Sequence, residues 1–381
     1  MAHGWYMYVS IKPQRRSVVA DEFDLEKLFV DVFEPRAGEK VTILIDRPHG
    51  DLAMDQEWLD RHRMAERWLG ELGSMAPKLS IFVHPLVSYS ATGANNAQLP
   101  EWGEMEGREV RLEEILAETN ICLAMTEFSA TAPLFTYTHT MPQLRVASMP
   151  GVSPRMEKTA LAADYREVAA KAYLLADLLT TAVKAEIEFS TGHRLTLDLR
   201  YRTGMADDGR CGPDKPLPRG INLPSGEAAI VPYEGERDTE PSRSAGEIPV
   251  QEGDHLTVFR VDGNRLIAFE GHQERVQYWK DYFGLDPARS NVAELGLGCN
   301  DMAVITGNVL EDEKVGFHWA FGRSEHLGGV TGVDAFRSPE NVVHYDIVYA
   351  KGCPIEIASL VLCREDGSKE EIMRDSMYIV F

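Results

Sequence analysis

The triplet His344-Tyr345-Asp346 sits inside the apolar run from Val342 to Tyr349. The run is rich in β-branched and aromatic residues and free of Gly and Pro, so it reads as a strand. Side chains two apart on a strand share a face. His344 and Asp346 therefore project together from a segment expected to be largely buried. A buried carboxylate needs a cation or several hydrogen-bond donors. A metal ion would satisfy both residues, since imidazole nitrogen and carboxylate oxygen are ordinary ligands for zinc, iron or manganese. A structural His–Asp hydrogen bond inside a core would satisfy them as well, and these two residues alone do not choose.

Three further segments carry ligand-type residues. In Asn222-Leu223-Pro224-Ser225-Gly226-Glu227-Ala228-Ala229, Pro and Gly shape a turn and Glu227 follows it at the mouth of an apolar run. Glu227 could be a ligand, a general base or a strand-end surface residue. Glu294 is the sole charged group of Val292-Ala293-Glu294-Leu295-Gly296-Leu297-Gly298. An ionised carboxylate is seldom buried without a partner, so a metal or a salt bridge is expected there. Gly296 and Gly298 permit close approach of another group. The third segment is Asp312-Glu313-Lys314-Val315-Gly316-Phe317-His318-Trp319-Ala320-Phe321-Gly322. Here a lone His on an apolar face is ordinarily a hydrogen-bonded core residue. Asp312 and Glu313 are expected to be solvated or paired with Lys314.

Taken together, Glu227, Glu294, His318, His344 and Asp346 have the ligand chemistry of a site for one or two metals. Glu227 and Glu294 are also the candidate catalytic bases. Glu325, His326, Tyr345 and His49 are candidates for lining a substrate pocket. His49 follows a strand, where α/β domains often bind ligands. The sequence contains no GxSxG elbow, no P-loop and no GxGxxG after a strand.

Two kinds of element must position these residues. Lys40 to Asp46 reads as a strand, Gln56 to Leu72 as a helix with an apolar stripe, and Leu79 to His84 as a strand ended by Pro85. Leu112 to Glu118 reads as helical, Ile121 to Met125 as extended, and Glu157 to Val183 as a long helix. This order predicts an α/β domain with a mostly parallel sheet over residues 1–183. From Lys184 onwards apolar and polar residues alternate. A hairpin is expected at Ala185 to Leu199, and strands at Ala228 to Tyr233, Leu256 to Val261, Arg265 to Phe269, Gly316 to Phe321, Val342 to Tyr349 and Met377 to Phe381. Residues 184–381 are therefore expected to form a β-rich α+β domain that bears the metal site. Gly235 to Ser244 reads as a surface loop next to that site.

The net charge of −21 over 381 residues argues against a nucleic-acid backbone or an anionic membrane as partner, because both would repel the chain. No apolar stretch approaches the span of a membrane helix, and the N-terminus lacks the pattern of a secretory signal. Five cysteines without CxxC spacing fit a reducing cytoplasm.

The four motifs Asn222 to Glu227, Ala293 to Gly298, Gly316 to Gly322 and His344 to Asp346 resemble those of the aminopeptidase T and aminopeptidase S metallopeptidases and of the related 2,5-dihydroxypyridine dioxygenase-like proteins. The resemblance spans most of the chain and is strongest over residues 184–350. It implies an N-terminal α/β domain, a C-terminal metal-bearing domain and a homodimer acting on a small-molecule or short-peptide substrate. The peptidase branch implies a pair of divalent metals (zinc, cobalt or manganese) held by Glu227, Glu294, His318, His344 and Asp346. The dioxygenase branch implies one Fe(II) held by two His and one Asp, of which His344 and Asp346 match two. One position departs from the peptidases. They carry a functional Tyr seven residues after the histidine matching His318, where this chain has Glu325 followed by His326.

Overall fold

A computed structural model describes residues 23–381. The N-terminal segment read above as lacking a secretory signal lies outside the described residues. Three sheets organise the described residues: one of eight strands that is mostly parallel, one of five strands and a second of eight strands.

The parallel sheet centres on Lys40–Arg47, which pairs in parallel with Ile121–Ala124 on one side and with Val87–Ser90 on the other. Period-two alternation buries both of its faces. Ile43 and Ile45 join the core under the helices Leu25–Phe33 and Gln56–Leu79, while Leu44 joins a second core with Leu112, Leu116 and Leu134. Asp55 caps the longer helix by accepting from Trp58 N at 2.8 Å. That helix runs on to Leu79, and Ser80 closes it in a left-handed conformation. The strand expected from Leu79 is thereby shortened to Phe82–Val83. Similarly, the long helix expected from Glu157 begins only at Tyr165. Asp164 accepts from Arg166 N at 2.9 Å, and this local side-chain bond sets the start.

The change of pattern near Lys184 corresponds to a change of architecture. Every strand pair in the two remaining sheets is antiparallel. The expected hairpin is Lys184–Phe189 with Arg194–Asp198. One short strand, Gly220–Asn222, crosses back and pairs in parallel with Arg145–Ser148 in the first sheet. Strands at Ala245–Glu252, Ile357–Cys363 and Lys369–Arg374 and the helix Gln273–Leu285 complete this half. Residues 235–244 form a loop bearing one isolated bridge, Arg237 to Glu240.

The two antiparallel sheets share one apolar core. Ala228, Leu295, Leu297, Phe317, Trp319, Phe321 and Ile347 of the five-stranded sheet meet Ile187, Leu197, Val250, Phe259 and Leu360 of the other. Trp319 is fully buried, stands edge-on to Phe259, and donates its indole N–H to Tyr349 Oη at 3.3 Å. All five cysteines are free and buried. Among the described residues no helix is long and apolar enough to cross a membrane.

Trp319→Ala is expected to destabilise this half by about 3–5 kcal/mol. Denaturant unfolding followed by tyrosine and tryptophan fluorescence measures it, and a loss under about 1 kcal/mol would contradict this packing.

Candidate metal centre

The five-stranded sheet has an apolar face and a polar one, and beyond a bulge between Val292 and Glu294 alternation assigns the residues to their sides. Its antiparallel register pairs Glu227 with Gly298, Gly296 with His318, Ala320 with both Glu294 and Asp346, and Gly322 with His344. Leu295, Leu297, Phe317, Trp319, Phe321 and Ile347 go to the core. Glu227, Glu294, His318, His344 and Asp346 are left together on the opposite face.

Their side chains form a continuous chain of contacts. His344 Nε2 lies 2.9 Å from Glu294 Oε2 and 3.5 Å from Asp346 Oδ1. His318 Nε2 lies 3.5 Å from Glu294 Oε1 and 3.4 Å from Glu227 Oε2. Each imidazole is aimed by its other nitrogen: His344 Nδ1 is 2.7 Å from Arg323 O, and His318 Nδ1 is 3.3 Å from Gly316 O. A backbone carbonyl accepts only from N–H, so each Nδ1 carries a proton and each Nε2 faces the carboxylates. That is the second-sphere arrangement that presents Nε2 to a metal.

Glu294, His344 and Asp346 each offer one ligand atom within 4.8 Å of the others, a spacing that a single ion can span. His318 and Glu227 stand beside this group. One oxygen of Glu227, Oε2, is buried without a hydrogen bond. A set of two carboxylates and an imidazole, with an orphaned carboxylate oxygen next to it, fits a divalent cation.

Space for the centre comes from two glycines. A Cβ on Gly296 would lie 1.9 Å from His318 Nε2, and one on Gly298 would lie 2.2 Å from Glu313 O and 2.4 Å from the Lys314 carbonyl carbon. Gly296 thus admits the imidazole, and Gly298 admits the turn that carries Lys314.

Lys314 is the partner that the sequence reading undervalued. Its side chain is 1% exposed, and Nζ lies 2.7 Å from Glu227 Oε1, 2.8 Å from Glu313 Oε1 and 3.7 Å from Asp207 Oδ2. The expectation that Asp312 is solvated is corrected. It is buried and accepts from Thr306 N at 2.7 Å and Gly307 N at 2.8 Å, tying down the residues before the Asn308 cap. Asp207 was missed, since it lies in an unremarkable polar stretch and reaches Glu227 only through strand pairing.

The candidate pocket residues divide. His326 stands edge-on to His344 with ring centroids 4.8 Å apart. Glu325 is held in an ion pair by Arg323, with Nε 2.5 Å from Oε2. Tyr345 does not join the polar face. It is one residue out of phase with His344 and Asp346, and its ring stacks on Phe321 at 5.2 Å. His49 lies at the end of the central parallel strand, with Nε2 2.8 Å from Ala91 O.

Burial acts against every charge here, and the neighbours decide each outcome. For Glu294, desolvation is outweighed by hydrogen bonds from His318 and His344, and its pKa falls below the carboxylate range. For His344, desolvation is outweighed by Asp346 and then Glu294, and its pKa rises well above the ordinary imidazole value. His318 is raised in the same way, to about 10, by Glu294, Glu227 and Asp346. Desolvation lifts Glu227 despite Lys314 and His318. His326 moves the other way: burial, then His344 and Arg323, hold it below the ordinary value.

No protein-family model matches the sequence, and no curated protein matches it. The fold is nevertheless shared with solved structures. Among them is 2,5-dihydroxypyridine dioxygenase from Pseudomonas putida KT2440, at TM-score 0.58 and 14% identity over 90% of this chain and 92% of that one. Wild-type AmpT from Thermus thermophilus matches equally, at TM-score 0.58 and 14% identity over 93% of this chain and 98% of that one. The chain therefore has the fold common to the two groups whose motifs it resembles.

Two outcomes follow from this geometry. Gly296→Ala is expected to cost about 1–3 kcal/mol through the clash with His318, and His318→Ala should relieve most of it. Equal costs of Gly296→Ala in the two backgrounds, measured by denaturant unfolding, would disprove the contact. Secondly, an ion binding His344 Nε2 must displace the proton that the raised pKa holds there. Affinity should therefore strengthen as pH rises. Titration calorimetry in buffers of different ionisation enthalpy should register proton release, and buffer-independent heats would contradict it.

Proposed function

We propose that the chain is a metal-dependent enzyme acting on a small molecule or short peptide, and that its reaction is hydrolysis of an N-terminal amino acid or small amide. The observation that carries this reading is the group Glu294, His344 and Asp346 on one sheet face, with His318 and Glu227 beside it. A divalent cation in that group supplies Lewis acidity and lowers the pKa of water. Glu294 and Asp346 provide the anionic oxygens, and His344 is oriented by Arg323 O. Glu227 Oε2 has no hydrogen-bond partner and faces His318 Nε2. That carboxylate oxygen is the natural acceptor for a proton leaving the nucleophile. His326, kept neutral near pH 7, can donate to or accept from a substrate next to His344. The proposal includes the homodimer implied by the motif resemblance, which light scattering checks.

The second reading is ring-opening oxygenation by one Fe(II). It is favoured by the size of the ligand group, which suits one ion and leaves coordination positions for substrate and oxygen. The pairing of Glu325 with Arg323 favours it too, because no phenol stands where the peptidases have their Tyr.

A panel of aminoacyl-p-nitroanilides assayed with zinc, cobalt or manganese, and oxygen uptake with dihydroxylated aromatics after anaerobic Fe(II) loading, separate the two. Chelator-sensitive amide turnover is expected, and oxygen consumption without amide turnover would transfer the assignment. Asp346→Ala should abolish metal binding while leaving the circular dichroism spectrum intact, and full metal occupancy in that variant would sink the site. If Glu227 takes the proton, Glu227→Gln should lower kcat by roughly 10²–10⁴-fold.

A further inference from the structure

The cation beside Glu227 is already part of the chain. Asp207 and Glu227 are direct cross-strand partners, an arrangement in which like charges repel. Glu313 brings a third carboxylate from the turn after the short helix Val309–Asp312. Lys314 reaches all three from within the protein, and its own backbone is fixed: its N–H donates to Glu311 O at 3.0 Å, and its carbonyl accepts from Asn300 N at 3.0 Å. Gly298 lets this turn lie against the strand that carries Glu294.

Three carboxylates from three separate elements are the hard oxygen set that recruits a divalent cation. Here their common centre is filled by an ammonium. Glu227 gives Oε1 to Lys314 and keeps only Oε2 facing His318. The Glu294, His344 and Asp346 group is joined to Glu227 through His318, whose Nε2 meets both Glu294 Oε1 and Glu227 Oε2.

We propose that Lys314 Nζ occupies the position a second metal would take next to Glu227, so that this chain holds one exchangeable ion, at Glu294, His344 and Asp346. The proposal rests on the metal reading of that group. An ammonium differs from a metal in function as well as charge. It offers no empty coordination position and cannot acidify water, but it supplies a counter-charge to Glu227 and fixes it beside His318. The chain thereby converts a potential two-ion site into a one-ion site with a built-in counter-charge.

Elemental analysis of the full-length protein, loaded with excess Mn(II) and desalted, tests this together with the electron paramagnetic resonance of the bound Mn(II). Wild type and Lys314→Arg should hold one ion per chain with the signal of an isolated centre. Lys314→Ala, which removes the charge and opens space among the carboxylates, should hold two ions with a spin-coupled signal. Lys314→Met, which fills the space without charge, should stay at one. Asp346→Ala with Lys314 intact should hold none. Two ions in wild type, one ion retained by Asp346→Ala, or a folded Lys314→Ala with a single ion would each overturn the proposal. The first two arms decide it even if Lys314→Ala does not fold. No ion in wild type would instead remove the metal reading beneath it.

Discussion

The polar face of the five-stranded sheet must hold buried carboxylates, and every other feature of the site answers that constraint. The opposite face is committed to the core through Leu295, Leu297, Trp319, Phe321 and Ile347. With period-two alternation, Glu294, His318, His344 and Asp346 have nowhere else to point. Isolated buried anions are prohibitively costly, so cations must be supplied at fixed places. Lys314 is supplied covalently. The two imidazoles can supply protonated charge, and Asp346, Glu294 and Glu227 raise their pKa values accordingly.

This constraint accounts for the small residues as well. A packed sheet face normally fills its space with side chains. Here Gly296 and Gly298 alternate with large core residues, and they leave volume on the polar face for the His318 imidazole and for the turn that carries Lys314. The pattern Glu294-Leu295-Gly296-Leu297-Gly298 is therefore one statement with two readings: leucines for the core, and a ligand with two clearances for the site.

Much of this was legible in the sequence because it is local. Alternation placed His344 with Asp346, and the isolation of Glu294 and His318 within apolar runs marked them as needing partners. The parallel half announced itself through Lys40 to Asp46 and Ile121 to Met125. What escaped depended on pairing between distant segments. Asp207 meets Glu227 only through strand register, and Gly220–Asn222 returns to the first sheet from beyond the change in pattern. The helix boundaries at Leu79 and Tyr165 were set by a left-handed residue and by an Asp cap, neither of which apolar periodicity reports. Tyr345 was legible in principle, since a residue between two ligands on a strand must face away from them.

The same reasoning bears on Glu325, the position where the sequence departs from the peptidase pattern. A free carboxylate there would add another anion to a face already crowded with them. Arg323 removes that burden by pairing with it through the guanidinium, while the carbonyl of the same residue orients His344. One arginine thus neutralises the departure and fixes His344. With Glu325 so engaged, His326 becomes the side chain presented to His344. Its depressed pKa keeps it from adding a competing positive charge beside His344. The edge of the centre thus presents a neutral imidazole beside His344, which the Arg323 carbonyl orients.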